Sequence, residues 1–353
     1  MKRAPEKRQS SGQNTPIVIA NWCGDDVYPA MLTQNGAGPT EHGLQLQSGE
    51  NQTIYVSDDW QGRVWGRTNC SFDDSGQAQG GGGAACSTGD CGGALECQIA
   101  GAPPATLAEF TLQGGMSQTY YDISLVDGYN LPMAIVMLAN GNSQLEQMSG
   151  SKTNPSCVGS IGNLAPQNFY PYKNNQRFLD TTSSNPMPFE IDSTWDDVEQ
   201  WCPWDLQVHA PTAPGDGVYP YPDGNVQRPV FDPCLSACAK YNEDQYCCTG
   251  NYDGPSKCSD NYYSKAAKAV CPDAYSYAYD DQHSTFIVPQ GAGFQVIFCP
   301  GGRSTNILAT PGGQSSGSSS SGSLSELRLG KLVIDGRVWR TALVAAFAAV
   351  LLT

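Results

Sequence analysis

A mainly β fold, a sandwich braced by disulfides with its few helices in the second half of the chain, is what three features of the sequence predict. Short runs rich in β-branched and aromatic residues recur between Gly, Pro, Asn and Asp, as strands of a sandwich do. The 353 residues include 14 cysteines, an even number, among 39 glycines and 24 prolines. With only three histidines and no paired CxxC motifs, these cysteines fit the disulfides of an oxidising compartment rather than zinc; this includes the dense set Cys238, Cys247, Cys248 and Cys258. Helical patterning, finally, is confined to the cysteine-dense second half. The chain is long enough to bury a core without help from its bridges. A net charge of −15 excludes nucleic acid as a partner, because phosphate binding needs a Lys/Arg surface.

In chain order, residues 1–15 (MKRAPEKRQSSGQNT) are polar and contain no apolar run, so no secretory leader stands there as written. Set against the cysteines, this leads to the expectation of a late start, with Lys2-Arg3 and Lys7-Arg8 marking a pro-segment. Strands are predicted in IVIANWC, LQLQSGENQTIYVSD, GRVWGRTNC, TLAEFTL, YYDISLV and PMAIVML. Pro233 is expected to open a helix in PCLSACAKYN, and Pro272 to end one in SKAAKAVCP. Residues 301–340 read as a Gly/Ser-rich linker and spacer, and 341–353 as a hydrophobic tail too short to span a bilayer. Small residues, a spacer and such a tail form the pattern of a glycolipid (GPI) anchor signal.

The stretch Cys86–Leu112 organises the rest. Three cysteines fall within twelve residues. If Cys91 and Cys97 pair, they close a tight loop whose Gly89, Gly92 and Gly93 suit positive-φ turns, and Cys86 must reach elsewhere. The proline pair Pro103-Pro104 then leads into a strand carrying Glu109 among apolar neighbours. CSTGDCGGALEC followed by GAPPATLAEF, with GRVWGRTNCSFD before it and YYDISLVDGYNLPM after it, resembles the thaumatin-like family (osmotin, pathogenesis-related group 5). The likeness resumes in CLSACAKYNEDQYCCTG and CPDAYSYAYDDQHSTFIVPQGAGFQVIFCP, so it runs through most of residues 16–300. Long insertions at about 158–233 and the C-terminal tail suggest a fungal-type member that acts on, or belongs to, a fungal cell wall.

The resemblance implies a thaumatin-like β-sandwich with a disulfide-rich loop and helix lobe. It also implies the bridges Cys23–Cys299, Cys70–Cys86, Cys91–Cys97, Cys157–Cys271, Cys202–Cys234, Cys238–Cys247 and Cys248–Cys258. The family's further bridge is missing, since Ile287-Val288 stand where a cysteine is expected. An acidic cleft is implied too, lined by Arg63 (Arg67 a second choice), Glu109, Asp122, Asp127 and Asp280, with Asp281 and Asp273 near enough in sequence to be confused with the last. Such a set suits glycoside hydrolysis: crowding and burial keep one carboxyl protonated as acid while another serves as nucleophile or base. Glu109 is assigned the first role and Asp127 the second. Tyr129, with Tyr120, Tyr121, Tyr275 and Tyr277, is expected to offer rings to sugar faces.

The expected function is β-1,3-glucan or other wall-polysaccharide binding, with weak endo-β-1,3-glucanase activity. The residues leave open a non-catalytic, lectin-like or structural wall or defence role, in which the acids bind hydroxyls or cap turns. No cofactor and no metal are called for, and a monomer is expected, secreted to the cell wall or held at the plasma membrane by the anchor. Asn51 begins a glycosylation sequon (Asn51-Gln52-Thr53); Asn69-Cys70-Ser71 also matches. His42, His209 and His283 share no spacing that makes a triad or a ligand set, and GQAQGGGGAAC reads as a hairpin tip rather than a phosphate loop.

Overall fold

The structure, a computed structural model, describes residues 14–157, 193–194, 199, 202–208, 215–219, 233–280 and 284–300. The proposed pro-segment (but for its last residues), most of the insertions, His209, Asp281, His283 and the linker and tail after Pro300 lie outside them.

Two five-stranded sheets carry the fold. In the first the order is β3 (Asn51–Val56), β1 (Thr15–Asn21), β14 (Gly293–Phe298), β8 (Met133–Leu138) and β9 (Ser156–Cys157). β1 and β14 run parallel and the other neighbours antiparallel. In the second, wholly antiparallel sheet the order is β13 (Phe286–Pro289), β6 (Gln118–Ser124), β5 (Leu107–Gly114), β4 (Gln61–Arg67) and β2 (Tyr28–Asn35). Two short ladders join β7 (Gly128–Tyr129) to β12 (Cys234–Leu235), and β10 (Ser193–Thr194) to β11 (Val218–Tyr219).

Period-2 alternation explains the layering. Ile17 and Ile19 of β1, Val64 of β4, Ala108 and Phe110 of β5, and Tyr121 and Ile123 of β6 enter one core. Phe294 of β14 meets Phe110 at 5.1 Å and Tyr121 at 4.8 Å between ring centroids, which joins the sheets. The opposite face of the second sheet buries Trp65 and Leu107 against Cys91, Cys97 and Ala105. The stapled loop therefore covers that face, and Trp65 Nε1 donates to Gly89 O at 2.8 Å. Gly89, Gly92 and Gly93 all have positive φ, as the tight loop required, and the Pro103-Pro104 bond is cis.

Four short helices are bounded among the described residues: α1 (Ser143–Glu146), α2 (Ala237–Tyr241), α3 (Asp244–Cys247) and α4 (Tyr262–Val270). Pro233 does not open α2. β12 intervenes, and Ser236 caps the helix by accepting from Ala239 N at 3.0 Å. α4 starts at a capping box between Asn261 and Ser264 and stops before Pro272.

All 14 cysteines are bridged, in the seven pairs the resemblance implies. No helix of the described residues is long and apolar enough to cross a membrane.

Candidate functional site

Register assembles the site. Arg63 of β4 lies opposite Glu109 of β5, and Glu109 opposite Asp122 of β6. Cross-strand partners share a face, and Val64, Ala108 and Ile123 beside them face the sandwich core. The charged row is therefore on the sheet's other face. Arg63 Nε is 3.6 Å from Glu109 Oε1, with both side chains about nine-tenths buried (12% and 13% exposed). Asp122 is 9% exposed, and Ser124, two residues on and on the same face, hydrogen-bonds Glu109.

Asp127 reaches the row from the loop between β6 and β7. Leu125 N donates to Tyr275 O at 2.8 Å and Gly128 N to Leu125 O at 2.9 Å, closing a turn that holds Asp127 close enough to interact with Glu109 and Arg63. Gly128 is indispensable there: its φ is +97°, and a Cβ would stand 2.2 Å from Cys234 O.

Burial pushes the Glu109 carboxyl up; Arg63 pulls it partly back, Asp127 pushes it further up, and the Ser124 bond opposes the rise. Burial likewise raises Asp127, with Arg63 opposing. Two acids beside a single guanidinium thus favour holding a proton. A protonated Glu109 donates to an oxygen in front of it, and the remaining lone pairs and N–H groups accept or donate to hydroxyls.

Other expectations place differently. Arg67, the second choice for the cleft arginine, is fully buried: it donates to the carbonyls of Tyr28 (2.9 Å), Ala94 (2.7 Å) and Leu95 (2.8 Å). It fastens the stapled loop to β2. Tyr129 is no sugar platform. Its pairing with β12 turns it inward, where it is 4% exposed and stacks on Tyr263 at 6.2 Å. Tyr121 and Tyr275 are also buried, at 0% and 2% exposed; Tyr120 and Tyr277 are half-buried.

Asp280 Oδ2 is 3.0 Å from Lys268 Nζ and accepts from Ser276 N and Oγ, next to Tyr275, whose carbonyl accepts from Leu125 N in the acidic turn. Asp273 is fully buried and accepts from Ser156 N at 3.0 Å, tying the 271–275 turn to β9. Asn51 is exposed at the head of the edge strand β3. His42 faces Gln98 at 3.3 Å.

Sequence reasoning missed Ser124, Tyr263 and Asn130. Tyr263 of α4 donates to Leu125 O. Buried Asn130 donates to Gly66 O (2.8 Å) and Thr88 Oγ1 (2.7 Å) and accepts from Thr106 N (3.0 Å), so three segments meet behind the acidic turn. Only the polar interruption of an apolar run at Asn130 hinted at this. Among the described residues no group of three or more His, Cys, Asp or Glu converges as a metal site.

Fold and site together define a class: a disulfide-stapled β-sandwich whose outer sheet face carries a cross-strand row of one arginine and two acids, completed by a third from a turn. The chain belongs to the thaumatin family, which it matches over residues 21–300. It is 35% identical over 288 residues to "Thaumatin-like protein 1" of Pyrus pyrifolia, covering 80% of this chain and 90% of that one. It is 34% identical over 286 residues to "Pathogenesis-related protein 5" of Arabidopsis thaliana, covering 81% and 90%. Among solved structures it is similar to the thaumatin-like xylanase inhibitor TLXI, with 32% identity, 35% of this chain and 76% of that chain covered, and a TM-score of 0.29.

Proposed function

We propose that residues 16–300 form a secreted or cell-surface domain that binds β-1,3-glucan or a related wall polysaccharide through Arg63, Glu109, Asp122 and Asp127. The observation that carries this reading is the row itself. A buried ion pair and two raised carboxyls on an outer sheet face are costly to fold, and they supply the clustered donors and acceptors that sugar hydroxyls need. Fourteen bridged cysteines support secretion. The tail pattern supports a glycolipid anchor, and exposed Asn51 a glycan.

Weak endo-β-1,3-glucanase activity is the second reading. In it Glu109 protonates the leaving oxygen while Asp127 attacks as nucleophile or activates water. The raised Glu109 favours it; the raised Asp127 favours binding without turnover, because a nucleophile must be ionised. Reducing-sugar release from linear β-1,3-glucan, measured beside pull-down on the insoluble polymer, separates the two. Release by the parent that disappears in Glu109→Gln, with pull-down kept, establishes hydrolysis. Pull-down without release, weakened in Arg63→Ala and Asp127→Ala, establishes a binding groove. Loss of neither in these variants overturns both.

A further inference from the structure

We propose that Tyr241, Tyr246 and Tyr262, gathered around Asp205, form a second binding site for a single uncharged polysaccharide chain, on the helical lobe and distinct from the acidic row. Tyr241 Oη and Tyr262 Oη both donate to Asp205 Oδ2, at 2.6 and 2.7 Å. Between them lies Tyr246, half-buried on the core, with ring centroids 5.8 Å from Tyr241 and 6.3 Å from Tyr262. The outer two rings remain 42% and 40% exposed. Three aromatic rings from three helices therefore gather at one carboxylate, the outer two pinned to it through their hydroxyls and open to solvent.

The cluster is braced in advance of any ligand. Cys238, one turn before Tyr241, is bridged to Cys247 beside Tyr246. Cys202–Cys234 fixes the 3-10 turn Trp204–Leu206 that carries Asp205. Tyr262 opens α4 next to buried Tyr263. Rings held in this way lose little freedom on binding, which is where affinity is usually spent.

The chemistry selects the ligand. A pyranose has an apolar C–H face that suits a tyrosine ring and a hydroxyl rim that suits a carboxylate and phenol oxygens. Among the described residues of this lobe the large exposed hydrophobic side chains, Tyr241, Tyr252 and Tyr262, are all tyrosines, each an apolar ring with a polar rim. The carboxylate at its centre, in a chain of net charge −15, disfavours anionic polymers. Interplanar angles of 43° and 78° leave the rings no common plane, so a flat crystalline surface cannot engage all three and a single turning chain can.

The test is retardation of the full chain in native gels containing soluble laminarin, mannan or xyloglucan, with sedimentation on microcrystalline cellulose alongside. Retardation by at least one soluble polymer is expected, about tenfold weaker in Tyr262→Ala, weaker again in Tyr241→Ala/Tyr262→Ala, and within about threefold of the parent in Tyr262→Phe, which keeps the ring. Thermal midpoints check folding. Should the alanine variant fold poorly, Tyr262→Leu keeps apolar bulk without a ring and must show the same weakening. Parent-like retardation of the double variant, a parent retarded by none of the polymers, sedimentation on cellulose matching the soluble affinity, or equal loss in Tyr262→Phe and Tyr262→Ala overturns the proposal. Loss in Arg63→Ala and Asp127→Ala with none in the tyrosine variants keeps the acidic row as the binding site and removes this one. The converse keeps this site and removes the row.

Discussion

At the scale of the residue, Glu109 shows how composition becomes chemistry. Burial raises its pKa in the folded chain above the ordinary carboxylate value of about 4.3 that it has when unfolded. The sign follows: its contribution to stability is fully present below that ordinary value and is lost as pH rises through the raised one. Glu109→Gln, which stays neutral throughout, is therefore expected to melt above the parent at pH 7 and level with it near pH 4. Each kcal/mol gained shifts the midpoint about 2–4 °C in a domain of this size. A constant difference between parent and variant across that range in scanning calorimetry would contradict the assigned shift. Arg67, in the same strand as Arg63, had an equal claim from its residue type. Only depth separates them, since one guanidinium meets backbone carbonyls and the other a carboxylate.

Among elements, the turn between β6 and β7 decides whether Asp127 joins the row. Gly128→Ala meets both a positive φ and the Cys234 carbonyl, and is expected to lose on the order of 2–4 kcal/mol together with polysaccharide retention. Gly49→Ala is the comparison: its φ is +84° with nothing within 4 Å, so only backbone strain of about 1 kcal/mol is lost and binding stays. Denaturant midpoints and pull-down on one preparation of each variant read both effects. The strands β1, β4, β5, β6 and β8 were legible as β-branched and aromatic runs between turn residues, whereas β2 was not. Its YPAMLTQN carries Pro29 and a register shift near Thr33, features that blur period 2 and that a sheet edge tolerates. The 44–50 half of a longer predicted strand splits: Leu44 and Leu46 bridge back to Pro29 and Val27, and Ser48 and Gly49 turn the chain into β3 (Asn51–Val56).

For the whole molecule, Cys23–Cys299 spans 276 residues and links the neighbourhood of the parallel pair β1 and β14. Parallel strands at opposite ends of a chain close the costliest loop a sheet can make. The double variant Cys23→Ser/Cys299→Ser is expected to lose about 5–6 kcal/mol by chain-entropy arithmetic, while the acidic row, held by β4–β6 and the remaining bridges, keeps its affinity below the new midpoint. A denaturant titration with binding measured at each step checks both halves. Simultaneous loss of binding and fold at every concentration would show that the row depends on this bridge.

Taken alone, the sequence determined the fold class, the oxidising chemistry and the residue types of the acidic set. Runs of β-branched and aromatic residues and an even cysteine count are local signals, and the acidic set followed from the likeness of short motifs to the thaumatin-like family. Only the tertiary structure decided which of those residues meet. Strand register set Glu109 between Arg63 and Asp122, the β7–β12 pairing turned Tyr129 inward, and Asp280 met Lys268. Asp205, well upstream of the helices, met the hydroxyls of Tyr241 and Tyr262 on either side of Tyr246. These meetings depend on register and on contacts between residues distant in the chain, which no short window of sequence contains.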